Sequence, residues 1–354
     1  MSDGLEGVVA AQTVLSHADG EYGIVWVRGH TIGELVVRHG YEGTIALLWD
    51  GFAGDGLTRE DIVAQLGAGR TLAFSRLGDW LPAAARRPPI EGLRMALAAL
   101  PEDSAPATIA ATLPVAIAAL VRARGGKPPL PPDPALATAA DFLRMVDGAA
   151  VEARLITALD TYLTTVIDNG LGTSTFAARV IISTRASLAS AVVGAYGAFT
   201  GALHGGAPGL ALDMLDEIAA SGDIDGWLDR TLASGGRLMG FGHRVFRVRD
   251  PRADMLRGAL RRLDPDSKRL AFAQEVERRA LAALQRLKPG RRLEANIEMD
   301  AALILDAIGL PREAFTPVFA IARAPAWIAH ALEQQRSGRM IRPTSTYIGP
   351  SPGG

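Results

Sequence analysis

A mainly α-helical protein with a short β-hairpin at its N-terminus is what this sequence predicts. Three observations lead there. Eleven stretches carry apolar residues at helical spacing, and most of them end at Gly or Pro. Only the first 30 residues are rich in the residue types of strands. Of the 354 residues, 48% are hydrophobic and 21% charged, the balance of a globular chain long enough for a large domain and a smaller one.

Val8–Leu15 and Tyr22–Val27 flank Asp19-Gly20, a pair suited to a tight hairpin turn. Thr31-Ile-Gly-Glu34 and Thr58-Arg-Glu-Asp61 each set a hydroxyl three residues before a carboxylate, so each opens a helix with a capping box. Tyr41–Asp50 has helical spacing and stops at Gly51. Helices are then predicted over 91–100, 106–122, 136–146, 151–167, 174–200, 207–220, 224–235, 252–263, 267–287, 297–308 and 313–336. Gly125–Pro134 holds five prolines in ten residues and reads as a stiff extended connector. Pro325, inside the last helix, predicts a kink. The tail Arg342–Gly354, rich in Pro, Gly, Ser and Thr, is expected to lie extended over a surface.

Charge and composition remove whole classes of function. Lys and Arg total 37 against 38 Asp and Glu, a net charge of -1, which removes the electrostatic case for a dedicated nucleic-acid or anionic-membrane binder. With no cysteine, disulfides, thiolate catalysis and Cys-ligated zinc are excluded. The N-terminus lacks the basic start and apolar stretch of a signal peptide. The longest uncharged stretches, Ala105–Val121 and Ser187–Leu203, are too short and too polar to span a bilayer and read as buried helices. A cytoplasmic location is therefore expected.

Chemistry concentrates in three places. Two of the six histidines stand among glycines near helix ends, in Gly201-Ala-Leu-His204-Gly-Gly and Gly240-Phe-Gly-His243. Glycine lets backbone approach a ligand closely, although ordinary loop histidines beside helix stops fit the same pattern. No histidine pair has metal-ligand spacing, so no metal site is expected. Arg244, Arg247, Arg249 and Arg252 put four arginines in nine residues, suited to a small acidic molecule or to a solvated surface. Asn296-Ile-Glu298-Met-Asp300 opens a helix with Glu298 in its first turn, where the helix dipole favours an ionised carboxylate. Asp300, two residues on, is about 200° round the helix and faces elsewhere.

Together these segments resemble the citrate synthase family, in particular its short bacterial citrate synthase and 2-methylcitrate synthase members. The ordered motifs are Gly4-Leu-Glu-Gly-Val-Val, Val27-Arg-Gly-His30, Ser174-Thr-Phe-Ala-Ala-Arg179, Leu203-His204-Gly-Gly-Ala, Met239-Gly-Phe-Gly-His-Arg-Val, Asp250-Pro-Arg252, Phe315-Thr-Pro, Ala322-Arg323 and Ile341-Arg342-Pro343. The resemblance implies a Claisen-type condensation in which a carboxylate deprotonates the methyl of acetyl-CoA and the enolate attacks the keto carbon of oxaloacetate. Thioester hydrolysis then gives citrate and CoA. It implies no permanently bound cofactor, acetyl-CoA serving as co-substrate. By residue, it implies that His204 donates to the enolate oxygen, that His243 polarises the keto carbonyl, and that Glu298 is the base. It further implies that Arg252, Arg323 and Arg342 hold the carboxylates, with Arg342 supplied by the partner subunit of a homodimer. Arg247 matches a ligand of the CoA phosphates, and backbone at Gly240 and Gly242 faces the adenine.

Two positions depart from the family pattern. Glu298 stands where the family has Asp, and the extra methylene displaces the carboxylate by up to about 1.5 Å. Asn169, in Asp168-Asn169-Gly170, stands where the family has the histidine that contacts the keto acid; Asn keeps a hydrogen-bond donor but carries no charge. Both predict reduced efficiency. Two alternatives follow: 2-methylcitrate synthase or another 2-oxo acid/acyl-CoA condensing enzyme, or a weakly active CoA-binding paralogue. The resemblance also implies a large helical domain of residues 1–205, to which 304–354 return, a small helical domain of 206–303, and the site in the cleft between them.

Overall fold

A computed structural model of the chain describes residues 4–5, 7–201, 204–205, 207–242, 248, 250–287 and 295–350. Three short strands come first: β1 (Ser16–Asp19), β2 (Ile24–Val27) and β3 (His30–Thr31). They form an antiparallel sheet in that order, with Ser16 opposite Val27 and Trp26 opposite Thr31. The expected first strand is displaced: residues 8–15 are not paired, and Val8, Val9 and Val14 are exposed. The turn chemistry explains the shift. Asp19 Oδ1 accepts the backbone N–H groups of Glu21 at 2.9 Å and Tyr22 at 3.1 Å, and Gly23 takes φ 65°. The reversal therefore spans Gly20–Gly23 rather than Asp19-Gly20 alone, and its longer loop sets the register from Ser16.

Helices follow without another strand among the described residues. α1 (Ile32–Glu34) passes through a π-helical turn, Leu35–His39, into α2 (Gly40–Trp49). Next come α3 (Arg59–Ser75), α4 (Leu77–Ala84), α5 (Pro89–Ala98), α6 (Pro106–Arg124), α7 (Thr138–Asp147) and α8 (Ala153–Thr165). The chain continues with α9 (Thr173–Ser183), α10 (Leu188–Phe199), α11 (Ala207–Ser221), α12 (Ile224–Ala233) and α13 (Pro251–Leu263). α14 (Lys268–Leu287), α15 (Ile297–Ala307), a 3-10 turn at Arg312–Ala314 and α16 (Phe315–Ser337) complete it. Both predicted capping boxes are present, Thr31 with Glu34 and Thr58 with Asp61. α4 was not expected from the spacing.

The predicted helix over 174–200 is two helices, α9 and α10, folded against each other. Arg185 takes φ 67°, and the Ser187 side chain caps α10 by accepting from Ser190 N–H at 3.0 Å. Gly194 lets the pair close, since a Cβ there would lie 2.0 Å from Ile181 Cδ1.

The core sits around α6 and α16, which pack together and against α3, α9 and α10. α6 is the one described helix long and apolar enough to cross a membrane, and most of it is buried inside the protein. Each fully buried Leu or Ile in such a helix is worth about 1.5–3 kcal/mol, which ties α6 to the fold. The proline-rich connector is extended and held by two buried arginines. Arg122 Nε donates to Pro128 O at 2.6 Å, and Arg70 Nη2 donates to Leu136 O at 2.6 Å while its Nε pairs with Asp141 at 2.7 Å.

Candidate active site

Five pieces of chain bring the chemistry-bearing side chains of the described residues into play: the loop after α8, the turn after α10, the first turn of α13, the first turn of α15, and one face of α16. The turn after α10 presents His204. Gly205 N–H donates to Phe199 O at 2.8 Å, and a Cβ at Gly205 would stand 2.6 Å from that oxygen, so only glycine fits. His204 Nε2 lies 2.9 Å from Ser174 Oγ, and its ring meets Phe199 edge-on at 5.2 Å. Trp327 Nε1–H donates to the same Ser174 Oγ at 3.2 Å. An indole only donates, so the serine hydroxyl accepts from Trp327, and, with no third partner for the buried Ser174 Oγ among the described residues, its own proton goes to His204 Nε2. The imidazole proton then belongs on Nδ1. Burial, with the charge of Arg323 adding to it, pushes the His204 pKa down to about 4, so the ring is neutral at neutral pH.

Two arginines converge nearby. Asp250 caps α13, its Oδ1 accepting Arg252 N–H at 3.0 Å, and its carboxylate grips the Arg252 guanidinium at 3.0 and 2.7 Å. Arg323, buried in α16, donates from Nε to Val166 O at 2.6 Å and lies 5.0 Å over the Phe319 ring. Its pKa is pushed down to about 10, first by burial and then by the repulsion of Arg252, against the attraction of Asp168, Tyr162 and Asp250. Two buried guanidiniums thus lie near each other, Arg252 paired with the Asp250 carboxylate.

The loop after α8 holds Asn169. Its N–H donates to Asp168 Oδ1 at 2.7 Å, and its own Oδ1 is buried without a protein partner. Asp168 Oδ2 accepts from His330 Nε2 at 3.0 Å, while His330 Nδ1 accepts from Arg179 Nη2 at 2.7 Å. Arg179 also binds Glu333 and Gln334. Burial works to raise the Asp168 pKa, but His330 and Arg323 outweigh it and hold the carboxyl below its ordinary range.

Asn296 caps α15 as its sequence position implies. Its Oδ1 accepts Glu298 N–H at 2.9 Å and its Nδ2 donates to Gly242 O at 3.0 Å, while Asn296 N–H donates to Gly240 O at 2.9 Å. The Gly240–Gly242 backbone, with positive φ at both glycines, is thereby strapped across the start of the helix. Burial pushes the Glu298 pKa up, opposed by hydrogen bonds from the Asn296 side chain and the Gly240 backbone. Asp300 faces elsewhere and is gripped by Arg257 at 3.2 and 3.0 Å, as the helical spacing predicts.

His243 and Arg247 lie outside the described residues. Arg342 is exposed in the extended tail after α16, where Ile341 N–H donates to Ser183 Oγ at 3.0 Å. Pro325 sits inside a helix that runs on to Ser337. Sequence reasoning gave no role to Ser174, Asp168, Arg179, Trp327 or His330. A signal was present: Arg323, Trp327, His330 and Gln334 interrupt an apolar helix at i, i+4, i+7 and i+11.

The family profile described as "Citrate synthase, C-terminal domain" matches residues 4–344. A protein of Mycobacterium tuberculosis (strain ATCC 25618 / H37Rv) named "Putative citrate synthase 2" is 37% identical over 356 residues, covering 99% of this chain and 93% of that one. The "2-methylcitrate synthase" of the same strain is 32% identical, covering 98% of this chain and 90% of that one. Among solved structures, citrate synthase from Thermotoga maritima MSB8 is similar with a TM-score of 0.87 at 31% identity, covering 99% of this chain and 96% of that one.

Proposed function

The chain belongs to the citrate synthase family of condensing transferases, and from that premise we propose that it joins acetyl-CoA to oxaloacetate, giving citrate and CoA. One observation carries the choice of keto acid. Arg252 and Arg323, both buried, lie close enough to repel each other beside a neutral imidazole, an arrangement that a small dicarboxylate relieves.

In the proposed reaction the Glu298 carboxylate takes a proton from the thioester methyl. Its raised pKa makes it a stronger base than an ordinary glutamate. The enolate oxygen accepts a hydrogen bond from His204 Nδ1–H, the proton that Ser174 leaves on that nitrogen. The enolate carbon then attacks the keto carbon, and the former carbonyl oxygen takes its proton from His243, whose role rests on its motif. Water hydrolyses the citryl thioester and releases CoA. Asn169 contacts the keto acid, and Arg342 of a second subunit completes the carboxylate site, which makes the working unit a homodimer. Arg247 and the Gly240–Gly242 backbone hold CoA, which leaves with the products, so no cofactor stays bound. Residues 206–303 close over the keto acid against 1–205 and 304–354, excluding water. A cytoplasmic location accords with the composition.

A second reading keeps the chemistry and exchanges acetyl-CoA for propionyl-CoA, giving 2-methylcitrate. The likeness to the 2-methylcitrate synthase favours it. Thiol release by the purified protein, with each acyl-CoA against a panel of 2-oxo acids, separates the two. Release with acetyl-CoA and oxaloacetate is expected. Release with propionyl-CoA alone selects the second reading, and no release with any pair, alongside CoA binding, marks a non-catalytic paralogue.

A further inference from the structure

α16 carries Arg323, Trp327, His330 and Gln334 on one face of a helix whose other residues between Phe315 and Ala331 are mostly apolar and buried. All four hydrogen bond to the segment 166–179: Arg323 to Val166, Trp327 to Ser174, His330 to Asp168, and Gln334 to Arg179. Two of these bonds end one step from reacting groups, since Ser174 touches His204 and Asp168 holds the Asn169 N–H.

We propose that Trp327 and His330 are positioning residues serving the two halves of the condensation separately: Trp327 fixes which nitrogen of His204 carries the proton, and His330 fixes the keto-acid loop at Asn169. The inference rests on the condensation described above. A hydroxyl that already accepts is a better donor and a poorer second acceptor, so losing the indole N–H shifts Ser174 towards accepting from His204 Nε2, and the imidazole proton divides between the two nitrogens. The Nε2–H form offers the enolate oxygen a lone pair instead of a proton, which slows turnover and leaves keto-acid binding alone. At His330 the guanidinium of Arg179 only donates, so Nδ1 accepts and Nε2–H goes to Asp168 Oδ2. That leaves Asp168 Oδ1 for the Asn169 backbone. Removing the donor lets the carboxylate swing and the loop relax, which weakens keto-acid binding more than turnover at saturation.

The test is a split of kinetic constants. Trp327→Phe is expected to lower kcat about tenfold with the keto-acid KM within about twofold, the size of one lost neutral hydrogen bond. His330→Asn, which keeps an acceptor for Arg179 but falls short of Asp168, is expected to raise the keto-acid KM about tenfold with kcat nearly unchanged, and His330→Gln is expected to restore much of the affinity. Where a variant does not fold, isosteres that delete only the N–H replace it: 3-benzothienylalanine at 327 and 4-thiazolylalanine at 330. Both constants changing together in step with thermal stability, or neither changing, overturns the proposal. If the unaltered protein releases no thiol with any pair, the condensation reading falls instead. The stripe is then judged by 15N signals of His204, expected to show one tautomer in the unaltered protein and two after Trp327→Phe; a single tautomer in both overturns it.

Discussion

Glu298 and His204 titrate in opposite directions for the same reason, the loss of water around each. His204, with its pKa near 4, stays neutral through the working range, so it does not set the acid limb of activity. Glu298 does. Its pKa is raised, so it takes up a proton at a higher pH than an ordinary glutamate, and kcat/KM is expected to fall as the pH drops through that raised value. Glu298→Gln is expected to lower kcat by on the order of a thousandfold while circular dichroism shows the helices intact; retention of full activity removes Glu298 as the base. Asp160 offers a stability test away from the site. Burial, with the charge of Glu42 adding, raises its pKa from the ordinary carboxylate range to about 6. The folded protein thus holds that proton more tightly than the unfolded chain, and stability is lost as the pH climbs through about 6 and regained below it. Asp160→Asn keeps the acceptor for Tyr41 N–H and removes the charge. It is expected to stabilise the protein at neutral pH by up to about 3 kcal/mol in urea melts, and to have little effect at pH 4.

Helix α16 shows how a long helix tolerates proline. Pro325 has no N–H for the carbonyl of Ile321, four residues back, and Tyr41 Oη donates to that oxygen instead, at 2.6 Å. Trp49 Nε1–H donates to Pro325 O at 3.0 Å from the same helix, α2. Tyr41→Phe is expected to cost about 1–3 kcal/mol, the penalty of a bare buried carbonyl. Pro325→Ala, which restores the helical donor, is expected to recover part of that loss in the double variant; a purely additive cycle rules the pairing out. The proline inside the helix was legible in the sequence, whereas the donor that meets Ile321 O lies 280 residues away and is invisible to local pattern. Local chemistry read well elsewhere. The Thr31 and Thr58 boxes depend only on neighbours three residues on, and both are present. The first strand and the 174–200 helix read poorly, because hairpin register follows from side-chain bonds at Asp19 and the break at Arg185 carries neither Gly nor Pro.

At the scale of the whole chain, a mainly helical fold was legible because core-facing periodicity repeats in nearly every segment. The site was legible only through ordered motifs spread over the length that the family profile matches, residues 4–344. What joins those motifs, the face of α16 against the loop after α8, is long-range packing that spacing alone does not encode. If Arg252 and Arg323 hold a dicarboxylate, oxaloacetate is expected to raise the melting temperature with the logarithm of its concentration above Kd, by linkage worth about 2.7 kcal/mol at a hundredfold excess. Arg323→Met is expected to abolish that shift while acyl-CoA still produces one. A shift that survives in Arg323→Met places the keto acid elsewhere.

The exposed stretch beyond Ser337 gives a handle on assembly that needs no substrate. Trypsin cuts after Arg339 wherever that bond is open to solvent, the bond after Arg342 being protected by Pro343, and a preparation clipped there would keep every described helix yet lack Arg342, the guanidinium proposed for a neighbour's pocket. If two copies hold each other through this stretch, dilution should speed the clipping, so the rate at which residues 340–354 disappear becomes a direct gauge of that association.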